Sequence, residues 1–300
     1  MAREHGIDVS QISGTGCGGR VTKQDMLKFL ESRKAASEAP AATVAPSPSR
    51  PEPKPKPAPA PVGESVQGAL TARVRVEPMT KIRKLVAEHM VVSRRTSAHV
   101  TTVFEADVSR IVQVRQEHKA IFSRDGVRLT YTPFFVHALI GALKQFPLLN
   151  ASIDGDNIVY HQDYNIGVAV ALDGGLIVPV IHHADEKSFL GLARAVNDIG
   201  ERARTKKLTP ADVQGGTFTI TNPGPYGGLF GTPIINQPQV AILGLGGIHK
   251  RPVVVNEGIA VRSMVYLALS FDHRLIDGAL ADQFMADLKR RLEGWDEAIV

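Results

Sequence analysis

The chain has 300 residues, 43% hydrophobic and 22% charged, as expected of an ordinary globular protein with room for about two domains. A net charge of +5 and 6% aromatic residues supply neither the basic surface nor the stacking platforms of a nucleic-acid binder. A single cysteine, Cys17, excludes an internal disulfide; no apolar run reaches the ~20 residues of a bilayer span, and the N-terminus has no signal-peptide core, so no membrane association and a cytoplasmic location are expected.

Residues 1–34 are compact and mixed. A glycine-dense loop, Gly14 to Gly19, precedes a capped helix start at Thr22 and Asp25, with Met26, Leu27, Phe29 and Leu30 as its apolar face. A glycine-rich loop before a helix can cradle phosphate. Here no strand precedes it and no lysine-serine signature follows, which favours a tight loop needing positive φ. A fold of about 35 residues is marginal by itself, which points to a docking module. In residues 35–72, nine of the 19 prolines lie between Pro40 and Pro61, and the segment reads as an extended linker.

Residues 73–300 form one long globular pattern. "PMTKIRKLVAEHMVVSRR" predicts a helix with Thr80 as N-cap and Ile82, Leu85, Val86 and Met90 at helical spacing. "HVTTVFEADVS" alternates as a strand. "TPFFVHALIGALKQF" is apolar nearly all round and predicts a buried helix. "NIVYH" is a short strand, and "IGVAVALDGGLIVPVI" reads as a hairpin split at Asp173-Gly174-Gly175. An amphipathic helix follows at "SFLGLARAVNDIGERARTKKL". "GTFTITN", "VAILGLGGI", "RPVVV" and "MVYLALSFD" are strands, and "ALADQFMADLKRRLE" closes the chain as a helix with Leu280, Phe284, Leu288 and Leu292 inward. Strands mostly follow strands in the second half, so the class is α/β or α+β with a mixed sheet.

Three stretches invite chemistry. In "SFDHRLIDGA" a strand ends in Asp272-His273-Arg274. Histidine titrates near neutral pH, and a strand end would hold it rigidly. Arg274 and Asp277 could form ion pairs that fix the turn, Gly278 could permit a tight entry to the closing helix, and Asp277 lies near that helix's positive end. A polar strand cap accounts for the same residues equally well. In "GGTFTITNPGPYGG", Thr221 ends a strand before an irregular loop, where its hydroxyl could serve an oxyanion or simply cap the strand. "ILGLGGI" resembles a dinucleotide loop only weakly, since no helix follows. The other histidines lack metal-ligand spacing, and no metal is expected. No Gly-x-Ser-x-Gly elbow appears.

Taken in order, these motifs resemble the acyltransferase (E2) component of 2-oxo acid dehydrogenase complexes. "DHRLIDG" matches that family's Asp-His-Arg-x-x-Asp-Gly motif, "GGTFTITNPG" and "TPIINQPQVAILG" its second signature, and "GIDVSQISGTGCGGRVTKQD" its peripheral subunit-binding domain. The resemblance implies a chloramphenicol-acetyltransferase-like catalytic domain over 73–300, a small helical binding domain over 1–34 and a flexible linker between them. It implies His273 as general base on a thiol of coenzyme A or dihydrolipoamide, and Thr221, where many relatives have serine, as oxyanion donor. Asp277 would hold the histidine loop with Arg83 as partner, Arg274 and Gly278 supporting it. The site would lie between subunits of a homotrimer that assembles into a larger cage. Arg3 and Arg20 would meet acidic patches on E1 or E3.

The chain begins partway into the binding module's first helix and shows no lipoyl domain, so the lipoyl group is expected in trans. The motifs look closest to the succinyl-transferring branch, with branched-chain acyl and acetyl behind. A catalytically silent core that docks E3, and a stand-alone enzyme acting on a small hydroxyl acceptor, are the competing readings.

Overall fold

The computed structural model describes residues 75–172, 175–296 and 299. The expectations for residues 1–34 (Arg3 and Arg20 among them), for the linker, and for the Asp173-Gly174 tip lie outside the described residues. The chain divides into two units, and the second, Val76–Val300, carries the elements below.

Helix α1 is Lys81–Thr96. The Thr80 hydroxyl accepts from the Arg83 amide at 3.2 Å, the expected cap, and Arg94 and Arg95 occupy the last turn, where the helix dipole favours cations. Among the described residues its apolar stripe finds no partner: Ile82 is 77% and Leu85 68% exposed. Ser93 is its one buried residue. After strand β1 (His99–Asp107) comes a helix that the sequence reading did not contain, α2 (Ser109–Arg124). It buries only Ile111, Val114 and Phe122, and polar residues fill most positions between them. Helix α3 (Thr132–Gln145) is buried along most of its length, as its composition predicts.

Strands β2 (Ala151–Asp154) and β3 (Asn157–Tyr160) form a separate hairpin. The next hairpin is split. Its base strands, β4 (Ile166–Val168) and β7 (Val180–Ile181), pair within the main sheet. Its outer strands, β5 (Val170–Leu172) and β6 (Gly175–Ile177), form their own ladder. Helix α4 (Phe189–Arg204) starts at Ser188, whose hydroxyl accepts from Gly191 at 3.2 Å. Strands β8 (Phe218–Thr221), β9 (Ala241–Leu245), β10 (His249–Val255) and β11 (Gly258–Asp272) and helix α5 (Gly278–Glu293) complete the unit.

The main sheet has the order β1-β11-β9-β8-β4-β7, with β10 also paired to β11. β8 runs parallel to β4 and β9 and the other pairs are antiparallel, so the sheet is mixed as expected. β9 and β10 follow the same edge of β11, but the register slips by one residue between Leu245↔Leu267 and His249↔Met264. The "GLGGI" stretch is this break, a bulge between two strands rather than a nucleotide loop.

Helix α5 packs on β1 and α3. Phe284, Leu288 and Leu292 are fully buried, and Phe284 meets Phe146 edge-on at 6.0 Å and Phe218 at 6.4 Å. This packing holds the helix whose first residue follows the Asp272–Asp277 turn. Phe284→Ala is expected to lower the unfolding free energy by about 3–5 kcal/mol through the cavity it leaves. Ser188→Ala should cost about 1 kcal/mol by uncapping α4. Urea titration of both variants beside the parent protein measures the two losses.

Candidate active site

Strand β11 is buried almost without interruption from Val265 to Asp272, and the next residue, His273, is exposed. Asp272 is 1% exposed and is bonded on all sides. Its Oδ1 accepts from the Ala98 amide at 3.2 Å and the Arg274 amide at 3.0 Å. The Arg274 Nε reaches both carboxylate oxygens at 3.0 Å, and Nη2 reaches Oδ2 at 2.7 Å. The backbone closes the same turn: the Asp272 amide donates to Val240 and the His273 amide to Ala98, both at 2.9 Å, and the Leu275 and Ile276 amides donate to the Asp272 carbonyl. His273 therefore has a fixed backbone and an outward ring, tilted against Phe271 at 5.9 Å between centroids.

Burial is the largest influence on the Asp272 carboxyl and acts to raise its pKa. The Arg274 guanidinium, the Ser97 hydroxyl and the Arg274 amide outweigh it and hold the group below the ordinary aspartate value of 3.8. Asp272 thus enters the fold as a carboxylate.

Arg274 forms a local ion pair as expected, with Asp272. Two other expectations about this turn change. The Asp277 carboxylate instead caps α5, accepting from the Leu280 amide at 2.7 Å, and among the described residues it has no ion-pair partner. Arg83 lies in the first turn of α1, and the pair with Asp277 does not form within one chain. Gly278 needs no special backbone here, because a Cβ at that position would meet open space. The proximity of Asp277 to the positive end of α5 is as expected.

The "TPIINQPQ" stretch is bolted to the same place. Ser93 Oγ donates to the Ile235 carbonyl at 2.6 Å, and Gln237 Nε2 donates to Ser97 Oγ at 2.7 Å. The Ile235 amide donates to His99 Nε2 at 3.0 Å, which leaves Nδ1 to donate to the Ser97 carbonyl at 3.0 Å. Ser97 and Ala98 also bind Asp272, so the two sequence signatures form one hydrogen-bonded unit. Sequence reasoning missed Asp272, Ser97 and Gln237 as supports. The available signal was a lone acid ending an apolar strand two residues before an arginine. A cleft of about 290 Å³ beside the turn is lined by Thr96, Ile153, Gln237, Gln239 and Arg274.

Thr221 ends β8 half-buried, and among the described residues its hydroxyl has no hydrogen-bond partner. The loop after it folds back over the β9–β10 break. The Gly247 amide donates to the Gly228 carbonyl at 2.9 Å, and a Cβ on Gly246 would stand 2.0 Å from the Leu229 carbonyl oxygen, so only glycine fits there.

The structure does not bring Thr221 and His273 together within one chain. Thr221 stands level with Gly244, and Gly244 with Ala268, five residues short of His273. At strand spacings that is about 17 Å along the sheet and about 10 Å across it, or roughly 20 Å in all.

This fold and this pair of signatures define an acyltransferase. The family model described as 2-oxoacid dehydrogenases acyltransferase (catalytic domain) matches residues 71–300, and an E3 binding domain model matches residues 1–27. The chain belongs to this family. It is 44% identical over 295 residues to the dihydrolipoyllysine-residue succinyltransferase component of the 2-oxoglutarate dehydrogenase complex of Pseudomonas aeruginosa, spanning 98% of this chain and 69% of that one. It is 41% identical over 301 residues to the lipoamide acyltransferase component of the branched-chain alpha-keto acid dehydrogenase complex of Bacillus subtilis, spanning 99% and 70%.

Among solved structures, the Azotobacter vinelandii dihydrolipoamide acetyltransferase superposes with a TM-score of 0.72 at 36% identity, over 73% of this chain and 91% of that one. Its catalytic mechanism was probed at a serine, a histidine 52 residues later and an asparagine four residues after that. The cubic core of a pyruvate dehydrogenase multienzyme complex superposes with a TM-score of 0.73 at 36% identity, over 79% and 97%. No helix among the described residues is long and apolar enough to cross a membrane.

Asp272→Asn keeps the shape but removes the charge and turns an amide toward donors. It should lower stability at pH 7 by about 2–3 kcal/mol, the worth of hydrogen bonds to a charged group. The Asp272 pKa is depressed on folding, so its contribution is complete above the unfolded value and fades as pH falls through the folded one. The gap between the parent protein and Asp272→Asn should therefore hold at neutral pH and shrink below about 3.8. Urea midpoints across pH 2.5–7, a range bracketing about that value, would measure it.

Proposed function

We propose that His273 of one subunit and Thr221 of a neighbour form one site that moves an acyl group between dihydrolipoyl-lysine and coenzyme A. The observation that carries this reading is the separation of about 20 Å between the two residues within a single chain, estimated from sheet register. A group that takes a proton from a thiol and a group that steadies the adjacent oxyanion must both lie about 3 Å from the reacting atoms. Two chains meet that demand where one cannot. Thr221, His273 and Asp277 repeat the 52- and four-residue spacing of the serine, histidine and asparagine studied in the Azotobacter enzyme, with threonine and aspartate at the outer positions.

In this reading His273 accepts the proton of the incoming thiol, whose ordinary pKa of about 8.5 leaves little thiolate at neutral pH. The thiolate attacks the thioester carbonyl carbon, forming a C–S bond. The carbonyl electron pair moves to oxygen, where the Thr221 hydroxyl donates a hydrogen bond. Collapse breaks the other C–S bond, and the departing thiolate takes the proton back from His273. Asp277 and Gly278 lie on the surface around the turn, where Arg83 of a neighbouring chain would reach Asp277.

The exposed stripe of α1 and the exposed Val254, Ile259 and Val261 of the β10–β11 ribbon supply apolar area for subunit contacts, consistent with a trimer that builds a cage. Residues 1–34, with Arg3 and Arg20, would dock E1 or E3, residues 35–72 would be the tether, and 73–300 the catalytic domain, working in the cytoplasm on a lipoyl group. Succinyl is the favoured acyl group, in keeping with the 44% identity to a succinyltransferase.

Purified protein supplied with dihydrolipoamide and, in turn, succinyl-, acetyl- and isobutyryl-CoA tests the whole reading. Succinyl transfer should be fastest. His273→Ala should lower kcat by about 10²–10⁴-fold and leave KM nearly unchanged. Thr221→Ala should cost about 10²–10³-fold, and Thr221→Ser should restore most of it. Unchanged turnover in His273→Ala would identify a silent scaffold instead.

A further inference from the structure

Ile235, within "TPIINQPQ", is 0% exposed, backbone included. Among the described residues its amide and carbonyl pair with no other backbone group. Two side chains satisfy them instead. The amide donates to His99 Nε2 at 3.0 Å, and the carbonyl accepts from Ser93 Oγ at 2.6 Å. We propose that His99 is a positioning residue for acyl transfer: with Ser93 it clasps Ile235 and so sets the offset between the His273 turn and the strand carrying Thr221. The proposal rests on the shared-site reading, in which that offset decides where neighbouring half-sites meet.

The clasp is built from both sides. Ser93 is the one buried residue of α1, a helix whose apolar side chains stay largely exposed. What α1 buries is therefore a hydroxyl on the Ile235 carbonyl, not an apolar anchor. The half-buried His99 has its tautomer dictated by its partners. Nδ1 lies 3.0 Å from the Ser97 carbonyl, which can only accept, so Nδ1 carries the proton and Nε2 is the acceptor. Both ring nitrogens are thus occupied, and neither is left to serve a thiol. His99 stands opposite Asp272 in the β1–β11 ladder, and Ser97 and Ala98 bind the Asp272 carboxylate, so the ring springs from the junction that fixes the His273 turn. Beyond the clasp the segment runs on to Gln239. That side chain accepts from Thr219 Oγ1 at 2.7 Å and donates to the Gly216 carbonyl at 2.9 Å, on either side of the start of β8. Ile235 is the point where the two half-sites of one chain are tied together.

A backbone amide at this depth must be paired. With no acceptor at the Nε2 position, water cannot take its place while Ile235 stays buried, so the segment must shift to satisfy the amide. A misplacement of about 1 Å, even one caused far from the chemistry, can cost about 10²-fold in rate. The effect of His99 passes through Ile235 and reaches the reaction only as position.

His99→Phe keeps a ring of similar size and removes the acceptor. His99→Gln returns an acceptor, its side-chain carbonyl, at about the reach of Nε2. Each full-length variant would be assayed beside the parent with dihydrolipoamide and the acyl-CoA that the parent transfers fastest, once sedimentation shows the parent's assembly. His99→Phe should lower kcat by about 10–10²-fold and leave KM for both substrates nearly unchanged, and His99→Gln should recover most of the loss. Ser93→Ala, which opens the other half of the clasp, should lower kcat in the same way and takes the place of His99→Phe if that variant does not assemble. A parent-like kcat in His99→Phe would overturn the proposal. So would a raised KM at the parent kcat, which would place His99 in substrate binding, or a loss that His99→Gln does not recover. His273→Ala, run in parallel, separates this proposal from the reading beneath it. If His273→Ala is inactive, these results bear on His99 alone; if it turns over at the parent rate, the shared site falls and this proposal with it.

Discussion

The buried carboxylate of Asp272 is the constraint on which the rest of the site depends. It ends the long interior strand β11, and its oxygens are shared among the Arg274 guanidinium, the Arg274 amide, the Ala98 amide and the Ser97 hydroxyl. A buried carboxylate is tolerated only when it is paired and hydrogen-bonded. Meeting that demand fixes the α1–β1 junction, the end of β11 and the start of the descent into α5 in one arrangement. His273 inherits its position from this arrangement without contributing to it. The residue that does the proposed chemistry is free to present its ring because its neighbour holds the chain.

The second signature serves the same end by another route. Ile235 and Gln237 bind the α1–β1 junction, while Gln239 links to Thr219 on β8 at 2.7 Å. The segment thus ties the strand carrying Thr221 to the turn carrying His273, although the two residues lie at opposite ends of the sheet. That connection fixes the relative placement of two half-sites on one subunit. In a closed ring of subunits, a fixed offset between half-sites becomes a fixed meeting point between neighbours. The exposed apolar stripe of α1 belongs to the same picture, since no described residue covers Ile82 or Leu85.

Much of this was legible in sequence. Period and cap residues located α1, α3, α4 and α5, because each carries either a hydroxyl or carboxylate cap or a dense apolar face. Helix α2 was not found, because three buried positions among sixteen carry too weak a pattern. The hairpin at Ile166–Ile181 was recognised, but its division into two ladders depends on tertiary pairing with β8, which no local pattern encodes. At the site, His273 and Thr221 were visible as residue types suited to their tasks. Their supports were not. Asp272 looks like one charge among several, and only its burial reveals that it organises the turn. Asp277, expected to form an ion pair, is instead consumed as the cap of α5. The distance between Thr221 and His273 follows from strand register, a property of the sheet rather than of either motif.

The most direct test of a shared site is complementation between two inactive variants. His273→Ala and Thr221→Ala subunits, each inactive as a homo-oligomer, would be co-expressed with separate tags and purified as mixed assemblies. If the site is shared, some interfaces join an intact His273 to an intact Thr221, and acyl transfer should return to a substantial fraction of the parent rate. If mixed assemblies form and stay as inactive as the two homo-oligomers, the residues do not meet across an interface and the account is contradicted.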